Sequence, residues 1–101
     1  MAMPNKRLKD SLTTGNLWLY ILTLMQNSEI YAYSLDKDIE KEFGFKPQKI
    51  MMYLVLYKLE KAKFVTSTFK ERRKYYKITQ KGKDELKKGK KILGDVLKNL
   101  K

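Results

Sequence analysis

The apolar positions change period along the chain, and each change marks an element. Leu17, Ile21, Leu24 and Met25 recur at helical spacing, with Leu22 beside them. Thr13 or Thr14 offers a hydroxyl to cap this first helix, predicted to run to about Asn27. Trp18, Leu19 and Tyr20 make it apolar over more than one stripe. Such a helix needs two partners: the domain core, and a second surface such as another protomer. A loop reaches Ile30, and Tyr31, Ala32 and Tyr33 lead into a second helix. Leu35, Ile39 and Phe43 mark its inner face, and Gly44 stops it past the last turn. A third helix is predicted to hold Pro47 in its first turn and to run to about Ala62. Met52, Leu56 and Leu59 share one of its faces, with Val55 close by.

The helical period then gives way to strand character. Residues 64–69 are β-branched and aromatic, without Pro or Gly. Lys70, Glu71, Arg72 and Arg73 form a charged connection to a second strand over 74–78. Alternation puts Tyr76 and Ile78 on one face of that strand and Tyr75 and Lys77 on the other. Thr79 caps a last helix, predicted to run to about Leu100. Leu86, Leu93, Leu97 and Leu100 repeat along it as a heptad seam, widened by Ile92 and Val96. Gly82, Gly89 and Gly94 each cost up to about 1 kcal/mol relative to Ala, so this helix calls for a packing partner. Residues 1–12, with Pro4, show no clear period and read as a basic arm or as disorder.

Charge sharpens the picture. The 101 residues carry a formal net charge of +12, which favours an anionic partner. Residues 11–69 are nearly balanced, whereas Lys70, Arg72, Arg73, Lys74 and Lys77 face only Glu71 within the hairpin, and the last helix is rich in Lys. A lone basic hairpin between helices suggests the wing of a winged-helix domain, its tip against a phosphate backbone. The predicted fold is therefore mainly α with a small β-hairpin, an α+β winged helix-turn-helix. Its divisions are an arm over 1–12, the winged-helix domain over 13–80 and a long C-terminal dimerisation helix over 79–101. Lys46, Gln48 and Lys49 lie at the start of the third helix, where dipole and lysines both welcome an anion. Gln48 also suits a base edge.

Other chemistries are weakly represented. The chain has no Cys and no His. It therefore lacks thiolate chemistry, the commonest general base and any Ser–His or Cys–His pair, and no enzyme activity or cofactor is expected. Asp36, Asp38, Glu40 and Glu42 are read as the solvated face of the second helix, because Lys37 and Lys41 lie among them. The longest apolar runs fall short of the roughly 20 residues a membrane span needs. No secretion signal is visible, and a cytoplasmic, nucleoid-associated protein is expected.

Several segments then resemble one family, the PadR-like transcriptional regulators, over roughly Thr14 to Leu86. The run Arg73-Lys74-Tyr75-Tyr76-Lys77-Ile78-Thr79-x2-Gly82 is very similar to the family's Arg-Lys-Tyr-Tyr-Arg-Leu-Thr-x2-Gly signature. Gly15-x5-Ile21-Leu22-x-Leu24 resembles its first helix, and Tyr31-Ala32-Tyr33-Ser34-Leu35 its Tyr-Gly-Tyr-Glu-Leu entry to the second. Tyr53-x2-Leu56-x2-Leu59-Glu60 resembles the recognition helix, and Phe64-Val65 the start of the wing. Lys63 stands where Gly usually opens the wing, Ala32 replaces a Gly, and Ile50, Met51 and Leu54 depart from the usual residues of the recognition helix.

The resemblance implies a homodimeric, sequence-specific repressor of transcription on double-stranded DNA. Helix three would enter the major groove and the wing would touch backbone or minor groove. Gln48, Lys49 and Tyr53 are the expected groove residues; Lys46, Lys70, Arg72, Arg73 and Lys74 are the expected phosphate contacts. The first and last helices would supply the dimer contacts, through Leu17, Trp18, Ile21, Leu86, Leu93, Leu97 and Leu100. An architectural protein without sequence preference is the alternative, supported by the basic last helix and the apolar residues of helix three. A winged helix used for protein contacts is a third reading. The resemblance also implies a small aromatic effector in some members, for which Trp18, Tyr20 and the last helix would form a lining, but core or interface packing is the favoured role of these residues.

Overall fold

The computed structural model describes residues 3–101. Of the expected arm, residues 1 and 2 lie outside the described residues. Within the rest, α1 spans Pro4–Leu12, with Pro4 at the start, where its missing N–H is no loss. None of its residues is buried, so no apolar period announces it. Lys6 pairs with Asp10 one turn on. Thr13 and Thr14 do not cap the next helix, as the sequence suggested. Their hydroxyls donate to the carbonyls of Lys9 and Asp10 and close the end of α1 instead.

A single 3₁₀ turn over Thr14–Asn16 leads to α2, Leu17–Leu24, which is shorter than predicted. Tyr20 fixes the junction: its hydroxyl donates to the Leu12 carbonyl, and its ring meets Phe43 and Phe45 edge-on, each at 4.9 Å between centroids. A two-residue strand, β1 (Ile30–Tyr31), follows and was not foreseen. Then come α3 (Leu35–Phe43) and α4 (Lys49–Lys61). Gly44 adopts φ +81° and ends α3 as expected. Pro47 is outside α4, one residue before the Gln48 cap, and is buried.

The hairpin is β2 (Val65–Lys70) and β3 (Arg73–Ile78), and β1 pairs on the far side of β3 to give the antiparallel order β1-β3-β2. Ile30 and Tyr31 lie opposite Tyr76 and Tyr75. The last element, α5, spans Gln80–Asn99.

The core lies where α2, α3 and α4 meet the inner face of the sheet and the first half of α5. Ile21, Leu22, Leu35, Ile39, Met52 and Leu56 are fully enclosed. Each contributes about 1.5–3 kcal/mol by leaving water. Leu17, Ile21 and Leu86, which the resemblance implied as dimer contacts, are also in this core, so their apolar surface is used up within the chain. Trp18 is half-buried and lies across Gly89 of α5, where an added Cβ would come within 2.7 Å of the indole. Leu93, Leu97 and Leu100 remain exposed, and α5 carries no buried residue beyond Gly89.

The joint between α4 and the wing explains the residues around it. Phe64 N–H bonds the Leu59 carbonyl and Lys63 N–H bonds the Glu60 carbonyl, so α4 closes in a Schellman motif. That motif needs a left-handed residue, and Lys63 supplies it at φ +67° despite its Cβ. Lys63→Gly is expected to raise stability by about 1 kcal/mol, read as a higher midpoint in thermal unfolding.

Candidate nucleic-acid interface

Three elements put positive charge and exposed side chains on one side of the molecule. The first is the start of α4. Gln48 is extended, at φ −68° and ψ 138°, and its side chain makes no capping bond, which leaves it exposed beside Lys46. The first N–H groups of α4 sit under these residues with the positive end of the helix dipole. An open groove of about 760 Å³ separates this helix start from α1, lined by Arg7, Asp10, Lys46, Gln48 and Met51. Arg7 thus joins the cationic rim, a placement that the featureless N-terminal sequence did not signal.

Lys49 behaves differently from its neighbours. Its Nζ is 3.6 Å from Asp36 Oδ2, donates to the Tyr33 carbonyl at 3.4 Å and lies 4.5 Å from the centre of the Tyr33 ring. Asp36 is completely buried, not part of a solvated face, and neither carboxylate oxygen has a hydrogen-bond partner. Lys49 is therefore its sole countercharge among the described residues. Lys49→Met is expected to cost about 2 kcal/mol, because it strands a buried charge. Adding Asp36→Asn should restore much of that loss. Urea unfolding of the two variants measures the difference; equal losses would mean that the pair is not coupled.

The second element is the wing. Lys70 and Arg73 pair across its tip, and Glu71 and Arg72 occupy the turn at φ +51° and +68°. Both central residues are left-handed, the pattern of a type I′ turn, whose twist matches the strands. Asn-Gly is the usual choice there; a Glu-Arg pair accepts backbone strain and gains a cation at the tip.

The strand faces then sort the remaining charges. On the outer face Arg73 stacks 5.2 Å from the Tyr31 ring and Lys70 lies 5.7 Å from that of Tyr75. Lys70 is also held by Glu29 at 2.7 Å. Tyr33, Tyr31 and Tyr75 follow one another at 6.0 and 5.5 Å between centroids. This tyrosine row, the third element, carries Lys49 at one end and Lys70 at the other and joins the start of α4 to the wing. It rests on the β1–β3 pairing, and a two-residue strand gives too little alternation to be read in advance. On the inner face Lys74 is 3.8 Å from Glu60 and lies over Tyr76. The Ser67 hydroxyl also bonds Glu60. Lys74, expected to contact phosphate, thus points away from the outer face and ties the wing to α4.

Tyr53 is exposed on the flank of α4 to nearly the same degree as Leu54. Ile50, Leu54 and Tyr57 run down the middle of its solvent face, with Met51 exposed on the other flank. The aromatics suggested for an effector site do not converge. Trp18 borders an open cleft of about 420 Å³ with Val55, Leu59 and Phe64. Tyr20, two positions along α2, faces Phe43 and Phe45.

Helices α2 to α4, a three-stranded sheet with a basic hairpin and a long final helix define a winged-helix DNA-binding fold. Residues 21–88 match the family described as "Transcriptional regulator PadR-like family", and the chain belongs to it. Members of this family are transcriptional regulators, not enzymes.

Solved structures agree. A PadR-like transcriptional regulator from Bacillus cereus strain ATCC 14579 is 30% identical, with a TM-score of 0.75, over 91% of this chain and 92% of that one. A PadR family transcription regulator from hypervirulent Clostridium difficile R20291 is 26% identical, with a TM-score of 0.76, over 83% and 93%. Bacillus subtilis PadR in complex with operator DNA is 28% identical, with a TM-score of 0.63, over 71% of this chain and 45% of that one. No curated protein matches the sequence. Among the described residues, no helix is long and apolar enough to cross a membrane.

Proposed function

We propose that two copies of the chain bind operator DNA and repress transcription, with α4 in the major groove of each half-site and the wing against the backbone. The observation that carries this reading is the one-sided grouping of Lys46, Gln48 and Lys49 with the outer face of the wing, around a helix whose solvent face is free. In this reading Gln48 and Tyr53 meet base edges, while Lys46, Lys70, Arg72 and Arg73 meet phosphates. Lys49 contributes charge from a fixed position, and Lys74 holds the wing in place.

The outer half of α5 supports pairing. A helix of 20 residues extends about 30 Å, and its second half offers Leu93, Val96, Leu97 and Leu100 to a second copy. The test is a reporter driven by the DNA upstream of the protein's own gene. Co-expression of the chain should lower its output several-fold, and Leu93→Asp with Leu97→Asp should restore it. Output that the chain leaves unchanged would contradict the reading.

The exposed lysines of α5, Lys87, Lys88, Lys90 and Lys91, favour a second reading. There the same fold binds duplex DNA as an architectural protein without sequence preference. A specific-to-nonspecific affinity ratio near one would select it.

A further inference from the structure

The solvent face of α4 is the one feature of the interface that charge does not explain. Ile50, Leu54 and Tyr57 fall at i, i+4 and i+7, on the side of the helix away from Met52, Leu56 and Leu59. They are 85%, 45% and 61% exposed. Ile50 and Leu54 have no hydrogen-bonding group. Cations flank the stripe along the helix: Lys46 and Lys49 at its start, Lys58 and Lys61 toward its end.

An apolar line inside a positive frame complements a surface that is anionic at its rims and apolar at its floor. The major groove has this form where thymines lie: phosphates form the ridges, and the thymine C5-methyl is the apolar group among the base edges. Placing Ile50 or Leu54 over a cytosine amino group or a guanine oxygen would instead remove water from a polar atom and return no bond. By the usual cost of an unsatisfied group, that position would lose about tenfold in affinity.

We propose that α4 reads thymine methyl groups, with Ile50 and Leu54 as specificity-determining residues. This rests on the DNA-binding reading above and deepens it. It assigns the sequence information to methyl contacts at the centre of the helix face and leaves Gln48 and Tyr53 to the flanks.

Deoxyuridine provides the test, since it keeps every phosphate and hydrogen-bonding group of thymidine and lacks only the methyl. Duplexes selected by the whole chain from a random-sequence pool are resynthesised with deoxyuridine at one thymidine position at a time. Affinity should fall about fourfold at each contacted methyl, following the free energy of burying one such group. Ile50→Ala and Leu54→Ala should abolish the preference for thymidine over deoxyuridine at their own positions without changing the dependence on salt. Both side chains project into solvent, so the variants should fold, which thermal unfolding verifies. Selected duplexes that bind equally with either base would overturn the inference and leave sequence-specific binding standing. That result is also expected if a protein, not DNA, covers the stripe. A pool in which no sequence is enriched would overturn the inference together with specific binding.

Discussion

Gly82→Ala is expected to destabilise the protein by about 4 kcal/mol, a loss that few single substitutions reach. Gly82 is the third residue of α5 and sits directly under the chain that leaves α4. A Cβ there would lie 2.2 Å from the Phe64 carbonyl oxygen and 2.8 Å from Ile78 Cγ1. The Phe64 oxygen cannot yield freely, because it already accepts Thr79 N–H and the Thr79 hydroxyl, each at 3.0 Å. The same hydroxyl accepts the N–H of Gly82 and so caps α5. Making room for one methyl means moving the helix off its cap, which adds about 1 kcal/mol to the overpacking.

Against a total stability of about 5–15 kcal/mol, the midpoint of thermal unfolding should fall by roughly 20 °C. Gly94→Ala is the control. Nothing lies within 4 Å of the methyl it would add, and it should stabilise the helix by about 1 kcal/mol. An unchanged midpoint for Gly82→Ala would refute this account of the α4–wing–α5 joint.

Replacing Arg72 and Arg73 together by Ala should leave the fold intact and weaken binding to every duplex. Arg72 is at the exposed tip and Arg73 rests on Tyr31, so neither supports the core. Each phosphate left without its arginine should reduce the slope of log affinity against log salt by about 0.9, or nearly 4 for the two side chains in both copies of a dimer. At moderate salt the affinity should drop on the order of a hundredfold. Because phosphates carry no sequence information, preferred and shuffled duplexes should weaken equally. A slope identical to that of the parent protein would take the wing out of the interface. Lys74→Ala is expected to act by another route: without Lys74, Glu60 loses its cation, the wing loosens from α4, and stability declines along with binding.

Much of this was legible in the sequence wherever one element could be read by itself. Leu35, Ile39, Phe43 and Gly44 mark α3 by period and stop signal, and alternation assigned Tyr76 and Ile78 to one face and Tyr75 and Lys77 to the other. What escaped depends on how elements meet. Asp36 is one of six charged residues in a row of seven, and nothing local distinguishes it; only the placement of α4 brings Lys49 over it. Gly82, Gly89 and Gly94 are alike as helix breakers in the sequence. In the fold the first passes beneath a carbonyl, the second beneath an indole, and the third meets nothing. The leucine repeat of α5 continues from Leu86 to Leu100 without a mark where the core ends, so Leu86 read as a dimer contact when it is a core residue. Alternation already puts Lys74 on the face of Tyr76 and Ile78; what the sequence did not show is that Glu60 of α4 stands there to pair with it.

We propose sequence-specific DNA binding by the face that α4 and the wing form together. Fluorescence anisotropy tests it most directly, using the duplex upstream of the protein's own gene and a shuffled copy, at about 50 and about 200 mM salt. A preference for the upstream duplex should survive the higher salt, while binding to the shuffled copy collapses. Equal binding to both that vanishes together as salt rises, or no binding to either at the lower salt, would contradict it.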